Sequence, residues 1–365
     1  MSRTTSLTQL IGVANITWSI CTITPLCIKS GTTSVWKQAG GNGVKTRLVN
    51  AEFDFFNKKK VDQKNKESKE SNVYDFYFDV DVENNESHIR YHIPASSIRG
   101  AIRNYTIKRL IPKKYWTAAL DATGQNSDDQ ANQTDEDDKT LVRALKEPGW
   151  HIIQNLFGLS IDKETEELMD ESVAGRITFR VDDLSKLDIA AFKSNLISGS
   201  WGKNKVIFPS THGKMVLTTR NPLGRITQGA KEGGLHTFME LAPGNEFKVH
   251  IKIINPTLAD LGLIAFWEKS INNGLIRLGG LTSVGRGRLN IKESIINLYL
   301  KNPAQFNGIQ LDNGTTPEND ILSGIFSKYI IPNWAEAGKC CMAHLNEFYK
   351  NNGKEAKNDS QPSTV

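Results

Sequence analysis

The chain has 365 residues, 38% hydrophobic and 23% charged, which is enough apolar material for one large core or two smaller ones. No run approaches the roughly 18 to 20 consecutive apolar residues of a membrane-spanning helix, and Met1–Leu10 mixes Ser, Thr, Arg and Gln instead of forming a secretory leader, so a soluble, cytoplasmic protein without membrane contact is expected. Net charge is only +5, and the four cysteines (Cys21, Cys27, Cys340, Cys341) fit neither a zinc quartet nor a disulfide framework, so they read as buried small hydrophobes.

Residues 12–28 hold β-rich stretches and read as an opening strand with an irregularity at Pro25. Residues 57–73 and 121–139 lack large apolar side chains and read as disordered insertions. Between them, Tyr74–Val82 alternates strictly, with Tyr74, Phe76, Phe78, Val80 and Val82 on one face and Asp75, Tyr77, Asp79 and Asp81 on the other. A turn at 83–86 and a return strand at 87–93 complete a hairpin. Ser96 can cap a helix that runs to Leu110 and is stopped by Pro112, with Ile98, Ile102 and Tyr105 on one face. Further strands are expected at 176–181, 214–219 and 246–254, then a helix from Thr257 to Asn273 ending at Gly274 and a last strand at 287–296. This order predicts an α+β fold of ferredoxin-like type, an antiparallel sheet with helices on one face, as a single domain over 1–345 with a flexible tail at 346–365.

Charge is unevenly placed. Residues 99–114, 203–231 and 277–292 carry Lys and Arg with no acid, whereas 121–139 holds seven acids and one Lys. The basic stretches point to a polyanion partner. In IPASSIRGAIR at 93–103, helix N–H groups, the hydroxyls of Ser96 and Ser97 and the Arg99 guanidinium could converge on a phosphate. In GGLTSVGRGR at 279–288, four glycines permit close backbone approach while Arg286 and Arg288 supply charge. No nucleotide-hydrolase phosphate loop occurs.

These segments, with TPLCIKSG at 24–31, NLFGLS at 155–160, AGRITFRVDD at 174–183 and GRITQGAKEGGLHTFMELAPGNEF at 224–247, resemble the RAMP superfamily of CRISPR proteins, most closely the repeated backbone subunits of type III effector complexes. The resemblance implies that the chain binds guide RNA and complementary target RNA beside other CRISPR effector subunits. It implies guide contact by the helix after the Pro-Ser-Ser element (Ser96, Ser97, Arg99, Arg103) and by the terminal glycine loop (Gly279, Gly280, Arg286, Arg288). It also implies a thumb hairpin at about 218–240, containing Arg225, that displaces a guide–target base pair. The family's usual His and Gly in the first segment are Cys27 and Lys29 here, and its Lys in the Ser-Ser element is Arg99, which keeps phosphate affinity. Lys29 joins the expected RNA-binding residues.

The resemblance further implies an aspartate before the Pro-Ser-Ser element that helps hold Mg²⁺ for attack of a ribose 2′-hydroxyl on the adjacent phosphate. Asp79 falls nearest that place as catalytic residue and metal ligand, followed by Asp81 and then Asp54. Strand alternation alone also explains Asp75, Asp79 and Asp81 as a polar face. Two other readings stay open: a non-cutting structural subunit, and a metal-independent endoribonuclease that processes guide precursors with a histidine. The seven histidines form no metal-binding spacing, although His88 and His92 share one strand face.

Overall fold

The computed structural model describes residues 9–38, 48–53, 70–83, 86–116, 147–158, 174–182, 184, 196–201, 204–209, 215–220, 236–315 and 321–358. In β1 (Gly12–Thr22) alternate side chains are apolar, so Ala14, Ile16, Trp18 and Ile20 are buried while Asn15, Thr17 and Ser19 stay half-exposed. The neighbouring β12 (Glu246–Ile254) alternates in phase, with Phe247, Val249, Ile251 and Ile253 buried. Register pairs Trp18 with Val249 and Ile16 with Ile251, so the two apolar sets form one continuous face.

These strands lie at the centre of a six-stranded antiparallel sheet. Its order is β14 (Asp312–Asn313), β15 (Ser327–Ile330), β13 (Leu289–Leu300), β1, β12 and β7 (Ile177–Val181). Helices α1 (Ala95–Leu110) and α2 (Pro148–Phe157) lie in sequence between β1 and β7, and α3 (Leu258–Asn272) joins β12 to β13. Because β12 lies between β1 and β7, and β1 between β12 and β13, each helical connection returns to a strand that is not its immediate neighbour, the split β-α-β arrangement. The last helix, α4 (Trp334–Asn358), packs on α3.

Local chemistry explains the helix starts and crossings. Thr257 and Asp260 form a capping box at the start of α3. Arg176 grips the Asp260 carboxylate with both terminal nitrogens (3.0 and 3.1 Å) and donates to the Asn155, Ile254 and Asn255 carbonyls. One guanidinium thus ties α2, β12 and α3 together. Where α3 meets α4, a side chain on Gly262 would stand 2.3 Å from the Cys341 carbonyl oxygen, so only glycine permits the approach. Trp267 donates from its indole to Thr106 Oγ1 at 2.9 Å, linking α3 to α1.

A second, nine-stranded sheet runs in the order β10 (Met215–Arg220), β11 (His236–Leu241), β4 (Glu70–Phe76), β2 (Lys29–Gln38), β3 (Leu48–Phe53), β8 (Leu196–Trp201), β9 (Asn204–Pro209), β6 (Glu86–Tyr91), β5 (Phe78–Glu83). Three of its pairings are parallel: β11 with β4, β3 with β8, and β6 with β9. Its buried Val73, Phe76 and Met239 belong to the same apolar cluster as Trp18, Trp150 and Trp267, so the two sheets share one core. Each such large side chain contributes roughly 1.5 to 3 kcal/mol on burial.

The fold is α+β, as expected, but several details differ. A single sheet was expected and there are two. The opening strand ends at Thr22, and the chain bends through Leu26 and Cys27 before β2 enters the second sheet. Tyr74–Val82 is interrupted at Tyr77, and Asp75 is buried, because β4 has partners on both edges and core on its inner side. The end of the expected 57–73 insertion, from Glu70, belongs to β4. α1 begins at Ala95 with Pro94 as its N-cap, so Ser96 makes no cap. Residues 346–358 continue α4 instead of forming a tail, since Leu345 is buried and the Tyr349 hydroxyl donates to the Leu110 carbonyl at 3.1 Å. Cys21, Cys27 and Cys341 are buried, Cys340 is half-buried, and all four are free thiols. No helix among the described residues is long and apolar enough to cross a membrane.

Candidate nucleic-acid interface

The segment Thr24–Lys29 leaves the first sheet and is held between β11 and the glycine loop. Leu26 pairs with Leu241, the Cys27 carbonyl accepts from Gly280 N at 2.7 Å, and the Pro25 carbonyl accepts from Gly287 N at 2.9 Å. The glycines are steric necessities. Gly279 (φ +79°) and Gly287 (φ +75°) take left-handed backbone, and a Cβ would stand 2.2 Å from the Cys27 carbonyl oxygen and 1.9 Å from that of Leu278. Arg277 braces the loop by donating to the Gly274 and Thr282 carbonyls.

This packing brings a charged group together around Cys27. Arg286 donates from Nε to Glu240 Oε1 at 3.0 Å, and Glu240 is fully buried. The terminal nitrogens of Arg286 have no hydrogen-bond partner among the described residues, so its end-on fork stays available to an anion. Arg288 is exposed, with its backbone N–H fixed on Thr24 Oγ1. Burial first and the Glu240 charge second push the Cys27 thiol up to about 11, so it is a neutral packing group. Lys29 is exposed, with its ammonium 5.1 Å from the Tyr74 ring centre and 5.2 Å from that of Phe238. Tyr74 and Phe238 are stacked at 5.1 Å, and His236 lies 5.7 Å from Tyr74. Lys29, Gly279, Gly280 and Arg286 are therefore neighbours, as a shared role requires.

The start of α1 is arranged otherwise. Ser96 is exposed and Ser97 half-exposed, but Arg99 points toward α2, donating to the Phe157 carbonyl at 2.7 Å beside the Phe157 ring. Arg103 is buried, and burial followed by repulsion from Arg99 lowers it to about 10. Arg99 serves the α1–α2 contact by satisfying a carbonyl at the C-terminal end of α2.

Among the aspartates, Asp79 on β5 is exposed and one of its oxygens lies 3.2 Å from His92 Nδ1, whose ring packs edge-on against Tyr77 at 4.7 Å. Asp81 pairs with His88 along the β5–β6 backbone. Asp54 and Arg225, and residues 221–235 of the thumb expected at about 218–240, lie outside the described residues. No three His, Cys, Asp or Glu side chains gather as a metal set among the described residues. An exposed single carboxylate nevertheless fits a Mg²⁺ ion held mainly by RNA phosphates, which needs only one or two protein oxygens.

His92, Tyr74, His236, Phe238 and Glu240 are members of these clusters that sequence reasoning did not single out as site residues. A signal existed for three of them, because alternation along β11 places His236, Phe238 and Glu240 on one face. A model of the RAMP superfamily matches residues 20–290, which span every element of the cluster around Cys27. No curated protein matches the chain.

Proposed function

Since the chain belongs to the RAMP superfamily, we propose that it is a guide-RNA-binding backbone subunit of a type III CRISPR ribonucleoprotein effector. The six-stranded sheet with α1–α3 is read as its ferredoxin-like core. The observation that carries the proposal is the glycine loop 279–288 locked on Cys27, with the fork of Arg286 and the exposed Arg288 in it and the exposed Lys29 beside it. Such a surface grips phosphates and leaves sequence to base pairing between guide and target. Affinity for single-stranded RNA should fall with salt, and Arg288→Ala should reduce the slope of log K against log salt by about 0.7. An unchanged slope would count against backbone recognition by this loop.

Cleavage of target RNA is the second part of the proposal. Bound Mg²⁺ would supply neutralisation of charge on the transferring phosphate. Asp79 would offer one oxygen ligand, while His92 at 3.2 Å orients the carboxylate. In the assembled effector with Mg²⁺, Asp79→Asn should abolish cutting at this subunit's site with guide and target binding unchanged. Retained cutting would sink the assignment to Asp79, and absence of cutting at this site by the wild type would leave a non-cutting structural subunit as the reading.

One observation favours metal-independent cleavage instead. On the half-exposed face of the six-stranded sheet, His250 Nδ1 lies 3.2 Å from Thr17 Oγ1 and Nε2 lies 3.1 Å from Asp182 Oδ2. The ring thus lies between a hydroxyl and a carboxylate, an arrangement that suits general acid–base work. Cutting of repeat RNA in EDTA that disappears in His250→Ala would establish that reading.

A further inference from the structure

We propose that Tyr74, His236 and Phe238 form a stacking platform for an unpaired nucleobase of the bound RNA, with Lys29 on the adjoining phosphate; this rests on the reading of the chain as RNA-binding. The platform lies on the nine-stranded sheet, where β4 and β11 pair in parallel and put Tyr74 directly beside Phe238. Phe238 is buried and backs the Tyr74 ring at 5.1 Å with 19° between planes. Tyr74 and His236 remain half-exposed, so the two outer rings reach the surface.

Three features distinguish this group from the edge of a core. First, Lys29 stands over two rings, and among the described residues no carboxylate lies within ion-pair distance of it. A lysine that only covered apolar surface would gain by pairing with an acid, whereas one left to the rings keeps its charge for an anion. Second, Arg220 is the register partner of His236, and cross-strand partners share a face, so a second cation flanks the platform. Third, Cys27 feels the charges of both Lys29 and Arg286, which places the platform close to the glycine loop. Rings with cations on their margin bind single strands without sequence preference, because every base has a π face and every linkage a phosphate.

The test uses the full chain and a single-stranded RNA carrying 2-aminopurine at successive positions. Wild type should quench the fluorophore at a subset of positions. Tyr74→Leu should lose that quenching and weaken binding roughly 5- to 150-fold, with thermal midpoint and salt slope unchanged. Tyr74→Phe should restore both. Lys29→Ala should keep the quenching and lower the salt slope by about 0.7. Should Tyr74→Leu prove unstable, His236→Ala, which truncates the outermost ring, is read the same way. The platform is refuted if the ring variants bind and quench like wild type while Arg288→Ala weakens binding, an outcome that leaves the RNA-binding reading standing. Failure of wild type to bind RNA would overturn both.

Discussion

The Glu240 carboxylate lies fully buried with one oxygen on Arg286 and the other without a hydrogen-bond partner among the described residues. Removing the guanidinium strands a buried anion, which is the costly way to break such a pair. Arg286→Ala should therefore lower unfolding free energy by about 3 kcal/mol, and Glu240→Gln combined with it should recover most of the loss, as denaturant midpoints would report. A double variant no more stable than the single would show that the pair is incidental. Glu268 illustrates a different balance. It accepts from the Trp18 and Trp334 indoles and the Ser294 hydroxyl, yet burial outweighs these bonds and raises its carboxyl above the usual range. A raised native value means the neutral form stabilises the fold. That contribution is fully present below the unfolded carboxyl range and is lost as pH rises through the native value. Glu268→Gln should flatten this component of the stability–pH profile; an unaltered profile would contradict it.

At the scale of elements, α3 and α4 pack closely. Gly262→Ala forces a methyl to within 2.3 Å of the Cys341 carbonyl, and separating the helices should cost about 1 to 3 kcal/mol, measurable as a fall in thermal midpoint. Elements stabilised by their own periodicity and caps were legible in the sequence. The expected 246–254 strand is β12, and the helix expected from Thr257 runs from Leu258 to Asn272. The second sheet was not legible, because its parallel pairs join strands remote in the chain, such as β4 with β11, and no local pattern encodes a distant partner. Burial of Asp75 escaped for the same reason: alternation describes a strand with one wet face, and β4 has none at that position. At the candidate site, Lys29, Gly279, Gly280 and Arg286 came from the sequence. That Arg99 turns to the Phe157 carbonyl and Arg103 is buried was not legible, because charge and spacing say nothing about which way a helix face turns.

Across the molecule, basic residues divide into those spent on structure and those left for a partner. In the 99–114 stretch, Arg99 holds the end of α2 and Arg103 is buried, whereas Lys108 and Arg109 are exposed, over the Trp116 and Tyr105 rings. In the stretch at 277–292, Arg277 and the Nε of Arg286 also serve the structure, while Arg288 is exposed. The proposed RNA contact therefore rests first on the exposed Arg288 and Lys29. The most direct test is to purify the protein from cells that carry a CRISPR array and sequence the RNA that it retains. The account predicts guide RNA made of repeat and spacer sequence, with loss of that RNA when Lys29, Arg286 and Arg288 are replaced together in a chain that still folds. Retention of no RNA, or of unselected cellular RNA that survives those replacements, would contradict it.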